Sequence, residues 1–330
     1  MSQADLIIAI PSKGRLQENT NDFFRRAGLS VLQPGGDRNY RGELGGVPGV
    51  EVAFLSASEI SKELALGNVH FGVTGLDLIH ETIVNYDDKV HLVTPLGFGF
   101  ANVVVAVPMA WIDVASMSDL ADISAEFRQR HGQQMRIATK YMNLTRRFFA
   151  ANGIADYRIV ESLGATEGAP AAGSAEAIVD ITTTGSTLVA NNLKVLADGT
   201  LLKSQAYLVA SMAAPWSAGA KDRARAILDR ISAEAAARSV KEIRAAVSDG
   251  AEAAAAAVSL GATLPFGSET NGAAVLTLHA PVKQVAAIAR ALRDHGAETV
   301  TVSALEYVFS SVNSLASALE EAVERKAASR

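Results

Sequence analysis

The run from Glu176 to Leu193, EAIVDITTTGSTLVANNL, concentrates the groups in this chain that are best suited to chemistry. Ala177 to Ile181 reads as a buried strand that carries one carboxylate, Asp180, near its end. Thr182, Thr183, Thr184, Gly185, Ser186 and Thr187 follow, offering five hydroxyls around one glycine. A helix is expected to start at Thr187 or Leu188. Amides at a helix N-terminus have no intrahelical partner, and the helix dipole turns its positive end toward them. A glycine lets backbone come close to an anion, and hydroxyls add donors. No lysine lies in the run, so it is not a Walker A loop. It reads as a cradle for one phosphate beside a polyol, with Asp180 facing sugar hydroxyls. The alternative is a well-capped strand–helix turn, since Ser and Thr are common caps.

Three other segments place polar groups at the ends of expected strands. Ser12, Lys13, Gly14 and Arg15 follow the strand Leu6–Ile10 and open a helix, which suits a polyanion contact or a solvated basic turn. Leu76 and Asp77 close the run Gly72-Val73-Thr74-Gly75-Leu76-Asp77, where Asp77 could cap the next helix or face a ligand. Thr139, Lys140 and Tyr141 begin the run TKYMNLTRR, with a ring that could stack on a base or simply pack. Together these ends point to a phosphorylated, nucleotide-like ligand.

The elements that must hold these groups alternate. Expected strands are Leu6–Ile10, Val50–Leu55, Val69–Val73, Val90–Pro95, Asn102–Val107, Met135–Ala138, Tyr157–Val160, Ala177–Ile181 and Ala206–Ser211. Expected helices are Leu16 to Ala27, Ala57 to Leu66 and Asn143 to Asn152, each followed by a glycine. Such alternation gives α/β units with largely parallel sheets. Gly97 and Gly99 precede a very apolar strand and would suit a chain crossing between two lobes. Beyond Pro215 the pattern changes. A charged helix, Ala220 to Arg238, leads into a β-α-β-β-α-β order: Glu242–Val247, Ala251–Leu260, Thr263–Pro265, Ala273–His279, Val282–His295 and Thr299–Leu305. That order is ferredoxin-like. Val312 to Arg330 reads as a last polar helix.

Composition narrows the function. The 330 residues allow two or three domains. A net charge of −5 with no basic block argues against nucleic-acid binding. With no cysteine there is no thiolate nucleophile, thiolate metal site or disulfide. The six histidines lack metal-ligand spacing and read as surface or loop residues. Neither a signal peptide nor a membrane span is legible, so the expected location is cytoplasmic.

The blocks AIPSKGRL (Ala9–Leu16), HFGVTGLDLI (His70–Ile79), PLGFG (Pro95–Gly99), RIATKYMNLTRRFF (Arg136–Phe149), LGATE (Leu163–Glu167) and AIVDITTTGSTLVANNL (Ala177–Leu193) stand in an order that resembles the ATP phosphoribosyltransferases, the first enzymes of histidine biosynthesis. The segment Thr263–Phe309 is similar to the regulatory module of the long form of that family. The resemblance implies a two-lobed, periplasmic-binding-protein-like (type II) catalytic part. One discontinuous lobe would span 1–95 and 194–216, and the other 96–193. A ferredoxin-like regulatory domain would follow at 220–310, with a helical tail at 311–330. It implies that ATP and phosphoribosyl pyrophosphate condense to N1-(5-phosphoribosyl)-ATP and pyrophosphate. Thr182 to Thr187 would hold the phosphoribosyl phosphate. Asp180 would be catalytic, with Glu167 supporting it. Lys13, Gly14, Arg15, Leu76, Asp77, Thr139, Lys140 and Tyr141 would bind ATP. Mg2+ would accompany the pyrophosphate. Histidine would inhibit, and dimers would assemble into hexamers. A catalytically weak regulatory paralogue, or a cytoplasmic phosphometabolite-binding protein of the same fold, is the alternative. The chain departs from the family pattern at Ser56, where an arginine is usual, at Met142, where a proline is usual, and across Glu242–Leu260.

Overall fold

The computed structural model describes residues 5–33, 40–267 and 273–328. The first lobe begins with β1 (Leu6–Pro11), β2 (Ser30–Leu32), β3 (Arg41–Gly45), β4 (Val50–Leu55), β5 (Phe71–Gly75) and β6 (Val90–Pro95). The chain then crosses to a second lobe of β7 (Ala101–Pro108), β8 (Met135–Thr139), β9 (Tyr157–Glu161), β10 (Ala177–Thr182) and β11 (Leu193–Ser204). It returns as β12 (Ala206–Ser211). The sheet orders are β2-β3-β4-β1-β5-β12-β6 and β11-β7-β10-β8-β9.

The two sheets share one plan. In each, three parallel strands stand beside a strand delivered by a crossover, which runs antiparallel to its neighbours: β12 between β5 and β6, and β7 between β10 and β11. This exchange of strands is the two-lobed type II plan of periplasmic binding proteins. The crossovers are joined to each other, since Leu96 N–H donates to the Ala206 carbonyl and Ala206 N–H donates to the Phe98 carbonyl, both at 2.9 Å. Gly97 and Gly99 take φ values of +73° and +65° here, a region that residues with a Cβ rarely enter, so the expected crossing segment is where the glycines place it.

Each lobe has its own apolar interior. Leu6, Ile8, Ile10, Val52, Phe54, Phe71 and Leu208 pack with Phe23 and Phe24 of helix Gly14–Arg26. Val103, Val105, Ile137, Val179 and Phe149 form the core of the second lobe. His70 is buried rather than a surface residue. Its Nδ1 accepts from Ile7 N–H at 3.1 Å and its Nε2 faces the Pro215 carbonyl at 3.2 Å, so the ring ties the start of β1 to the segment after β12.

Three strands depart from the sequence reading. β2 and β3 are short, and the alternation of exposed and buried residues along β3 is carried by glycines and one leucine, so they leave no apolar run to detect. β11 contains Asp198-Gly199, a local turn signal, yet pairing with β7 carries it through with a register shift between Val195 and Thr200. The strand therefore belongs to the second sheet, and the return to the first lobe begins at Gln205, not at residue 194.

The C-terminal third divides differently as well. Helix Ala218–Ser239, capped by Ser217, buries Ala224, Ile227, Leu228 and Ile231 in the first lobe's core. It is part of that lobe, not the start of a separate module. Helix Ser314–Ala328 returns to the same core with Ala316 and Leu319. Between them lie β13 (Val240–Val247), β14 (Ala274–Pro281) and β15 (Val300–Ser303), in the order β14-β13-β15, backed by helices Gly250–Ser259 and Val285–Asp294. The expected strand at Thr263–Pro265 is reduced to one bridge between Thr263 and His279. With that bridge counted, the ferredoxin-like strand order is complete. Among the described residues no helix is long and apolar enough to cross a membrane.

Candidate active site

The strand ends singled out in the sequence meet at the junction of the lobes. Beyond β5, Leu76 N–H donates to the Gln205 carbonyl at 3.0 Å, which sets this end against one crossover. Beyond β10, the Thr183 hydroxyl donates to the Phe100 carbonyl at 2.9 Å, which sets that end against the other. β1 and β8 run parallel to these strands, so their carboxyl ends face the same junction. Ligands of open α/β sheets sit at such ends.

The loop after β10 is built as its sequence suggests, with the helix beginning one residue earlier. Gly185 takes φ +78°, and helix Ser186–Ala190 follows. The Thr182 hydroxyl accepts from Gly185 N–H at 2.8 Å and closes the turn. The Thr184 and Ser186 hydroxyls lie 2.9 Å apart, and Thr184, Ser186 and Thr187 are exposed. The first helical bond is Val189 N–H to the Gly185 carbonyl, so the amides of Ser186, Thr187 and Leu188 precede the ladder. Donors thus surround one exposed turn, which is the chemistry of an oxyanion cradle.

Asp180 stands half-buried at the head of this loop, accepting from Ile181 N–H at 2.8 Å. Burial is the main influence on it and raises its pKa; the Ile181 amide and Lys140 act against that, and Glu167 adds to it. The two carboxylates and the lysine therefore share one electrostatic neighbourhood. Glu167 is carried on the single turn Thr166–Gly168, which starts after Ala165 in a left-handed conformation, φ +50°. An alanine there is strained, and such strain gathers at functional sites.

Lys13, Gly14 and Arg15 are exposed at the end of β1, and among the described residues neither cation is in an ion pair. Gly14 has φ +72°, which lets the chain turn from strand to helix within two residues. Lys140 is also exposed, its Nζ 5.1 Å from the centre of the Tyr141 ring.

Asp77 and Tyr141 are brought together in a way the sequence did not foresee. The Tyr141 hydroxyl donates to Asp77 Oδ2 at 2.8 Å, and the Ser204 hydroxyl donates to Asp77 Oδ1 at 2.8 Å. Tyr141 is 1% exposed and Asp77 7%. Burial, reinforced by the Asp77 charge, pushes the Tyr141 hydroxyl far up, so it remains a donor. The ring has no face free for a base in this conformation. Thr139 is buried too, its hydroxyl accepting from Tyr141 N–H at 2.9 Å. Glu81, four residues beyond Asp77 on helix Leu76–Thr82, was not anticipated. Its carboxylate accepts from Asn143 N–H and Leu144 N–H at 2.9 Å. Burial raises its pKa, and those two amides oppose the shift. The i, i+4 spacing of two carboxylates was the available signal. Ser56, at the family's usual arginine position, is an N-cap: it accepts from Glu59 N–H while Glu59 accepts from Ser56 N–H.

Comparison with known proteins bears on what this geometry serves. The family model for ATP phosphoribosyltransferase (HisG) matches residues 56–233. A protein of Rhodopseudomonas palustris (strain BisB18) named ATP phosphoribosyltransferase is 57% identical over 316 residues, covering 95% of this chain and 97% of that one. One of the same name from Bradyrhizobium diazoefficiens (strain JCM 10833 / BCRC 13528 / IAM 13628 / NBRC 14792 / USDA 110) is 55% identical over 324 residues, covering 98% and 99%. Among solved structures, a chain of the ATP phosphoribosyl transferase (HisG:HisZ) complex from Thermotoga maritima aligns with TM-score 0.53 at 23% identity. It covers 68% of this chain and 95% of that chain, which shows a shared fold. With relatives this similar over nearly the whole chain, and the loop, carboxylates and cations at one lobe junction, the chain belongs to the ATP phosphoribosyltransferase family.

Proposed function

We propose that the four strand ends form a single bisubstrate site, with the phosphoribosyl group on the second lobe and ATP reaching it from the first. The reaction is that of the family: adenine N1 of ATP displaces pyrophosphate from phosphoribosyl pyrophosphate, the first step of histidine biosynthesis. N1 carries its own lone pair, so no strong base is required. What the enzyme must do is hold two polyanions together while the anomeric carbon gains positive charge. Thr183, Thr184, Ser186 and Thr187, with the amides after Gly185, bind the 5-phosphate. Asp180 takes ribose hydroxyls and stands beside the developing cation. Lys140, Lys13 and Arg15 offset the phosphate charges. The neighbourhood of Asp180 to Lys140 and Glu167 carries this reading, because it sets a carboxylate pair and a cation at the head of the anion cradle.

Among the described residues no cluster of three or more His, Asp or Glu could hold a metal alone. Asp180 and Glu167 fit the other common arrangement, in which one or two carboxylates share Mg2+ with substrate phosphates. When bound, Mg2+ would supply positive charge to the pyrophosphate. Leu76, Asp77, Thr139 and Tyr141 support the ATP side by holding Lys140 in place. The ferredoxin-like module is read as the site of inhibition by histidine and of homo-oligomer assembly, and the protein as cytoplasmic.

Lys13→Ala and Arg15→Ala test the ATP assignment. Each removes one charge-assisted contact, and ATP affinity should fall about tenfold or more. The loss should shrink as salt rises, because both side chains are exposed. Wild-type ATP affinity in both variants, measured by calorimetric titration, would move the nucleotide elsewhere.

A further inference from the structure

Among the described residues five helices carry their own N-terminal cap. Ser56, Ser116, Ser217, Asp249 and Asn313 each accept from an amide of the helix that they precede. Helix Met142–Ala151 does not. Its N-cap residue is Tyr141, which makes no capping bond from its side chain, and its first turn holds no acidic residue. The cap comes instead from the other lobe. Glu81 accepts from Asn143 N–H through Oε1 at 2.9 Å and Oε2 at 3.0 Å, and from Leu144 N–H through Oε2 at 2.9 Å. Asn143 Nδ2 donates to the Glu81 carbonyl at 2.9 Å, and Arg147 Nη2 donates to the His80 carbonyl at 2.6 Å. Leu78, from the same helix as Glu81, packs on the core of the second lobe. The helix that follows β5 is thus fastened to the helix that follows β8, beside the junction where the strand ends meet.

We propose that Glu81 is an interlobe positioning residue, which fixes the angle between the lobes by capping a helix that has no cap of its own. A helix end left uncapped loses stability, and here the uncapping accompanies lobe separation. The helix starts directly after Lys140 and Tyr141, so the same carboxylate sets where Lys140 stands relative to Lys13 and Arg15. Tyr141 to Asp77 and Ser204 to Asp77 act in parallel at the inner edge of this contact. Both Glu81 carboxylate oxygens are taken up by the Asn143 and Leu144 amides. Glu81 acts through the lobes, as misplacing reacting groups by about 1 Å can cost roughly 100-fold in rate. The catalytic half of the proposal rests on the bisubstrate site described above, whereas the geometric half does not.

The absence of cysteine allows a direct measurement. Cysteines introduced at Glu18 on the first lobe and Arg158 on the second, both exposed, take spin labels for a pulsed distance measurement on the full chain. Glu81→Ala should broaden or shift the interlobe distance distribution and lower kcat by roughly 10–100-fold. Glu81→Gln keeps an acceptor oxygen and should restore most of both. If Glu81→Ala is insoluble, Glu81→Asp, one methylene too short to reach both amides, carries the same comparison. A distance distribution unchanged from that of the starting protein overturns the proposal, whatever turnover does. A broadened distribution with unchanged kcat overturns the positioning role and places the reaction away from this junction.

Discussion

On the proposed reading Asp180 is the residue on which the chemistry turns, and its surroundings set its pH behaviour. Burial raises its pKa from the ordinary aspartate value, with the Ile181 amide and Lys140 opposing the rise and Glu167 adding to it. The ionised form therefore costs stability at neutral pH, and that cost is relieved as pH falls through the raised value. If Asp180 acts as proposed, catalysis needs the charge and activity should be lost over the same interval. The acid limb of kcat/KM should report this group and lie higher than for a fully solvated aspartate. Glu167→Gln removes the like charge and should move the limb to lower pH; Lys140→Met removes the cation and should move it higher. Asp180→Asn should reduce kcat by about 100-fold or more without lowering the melting temperature, since it removes a charge whose burial costs stability. A pH–rate profile of the four proteins checks all of these, and an acid limb that ignores both neighbours would exclude Asp180 as the titrating group.

The loop after β10 shows what an element contributes beyond its residues. A Cβ added at Gly185 would meet nothing within 4 Å, so space is not what demands glycine there. The demand is the backbone angle, φ +78°, which costs an L-residue roughly 1–2 kcal/mol. Gly185→Val should lose that much stability in denaturant titration and weaken binding of phosphoribosyl pyrophosphate several-fold, as the turn relaxes and the amides after it tilt away. Gly185→Asn, which tolerates the left-handed region, should recover most of the stability. If the Asn and Val variants are equally unstable, φ is not the reason for glycine. The motif, its glycine and its helix were legible because each is local. The engagement of Thr182 within the turn and of Thr183 with Phe100 was not, because it depends on how the strand meets the crossover.

At the scale of the whole molecule, the C-terminal third is threaded through the catalytic part. Ile227, Leu228 and Ile231 are fully or nearly buried in the first lobe, and burying each contributes about 1.5–3 kcal/mol. Glu234 of the same helix, 7% exposed in its side chain, ties Arg26 at 3.1 Å to Arg238 at 2.8 Å. A chain ending at Pro215 loses all of this, an amount comparable to the stability of a typical domain, and should not give a soluble, cooperatively melting protein. The better cut removes only the module. Val308 N–H donates to the Ala233 carbonyl at 2.9 Å, so the chain returns beside the helix that it left. Replacing residues 240–303 with a flexible linker should preserve folding and turnover and abolish histidine inhibition. Isothermal calorimetry should detect histidine binding to the full chain and none to the deletion; no binding to the full chain at millimolar histidine would end the regulatory reading.

The sequence by itself determined the local matters: β1, β4, β6, β8, β10 and β12 as apolar runs, the helices closed by glycine, the strand–glycine–helix turn after β10 and the ferredoxin-like order. These follow from periodicity, backbone freedom and charge within a few residues. Tertiary structure decided what depends on partners distant in the chain. β11 is a strand because β7 pairs with it across Asp198-Gly199. Helix Ala218–Ser239 is a first-lobe helix because that lobe's core, not the module, covers its apolar face. Asp77 and Tyr141, each chosen from sequence as a ligand contact, are joined to each other because two lobes close on them, and Glu81 gains its role only when the other lobe presents an uncapped helix. A carboxylate's residue type states what it can accept; only the fold states which donor arrives.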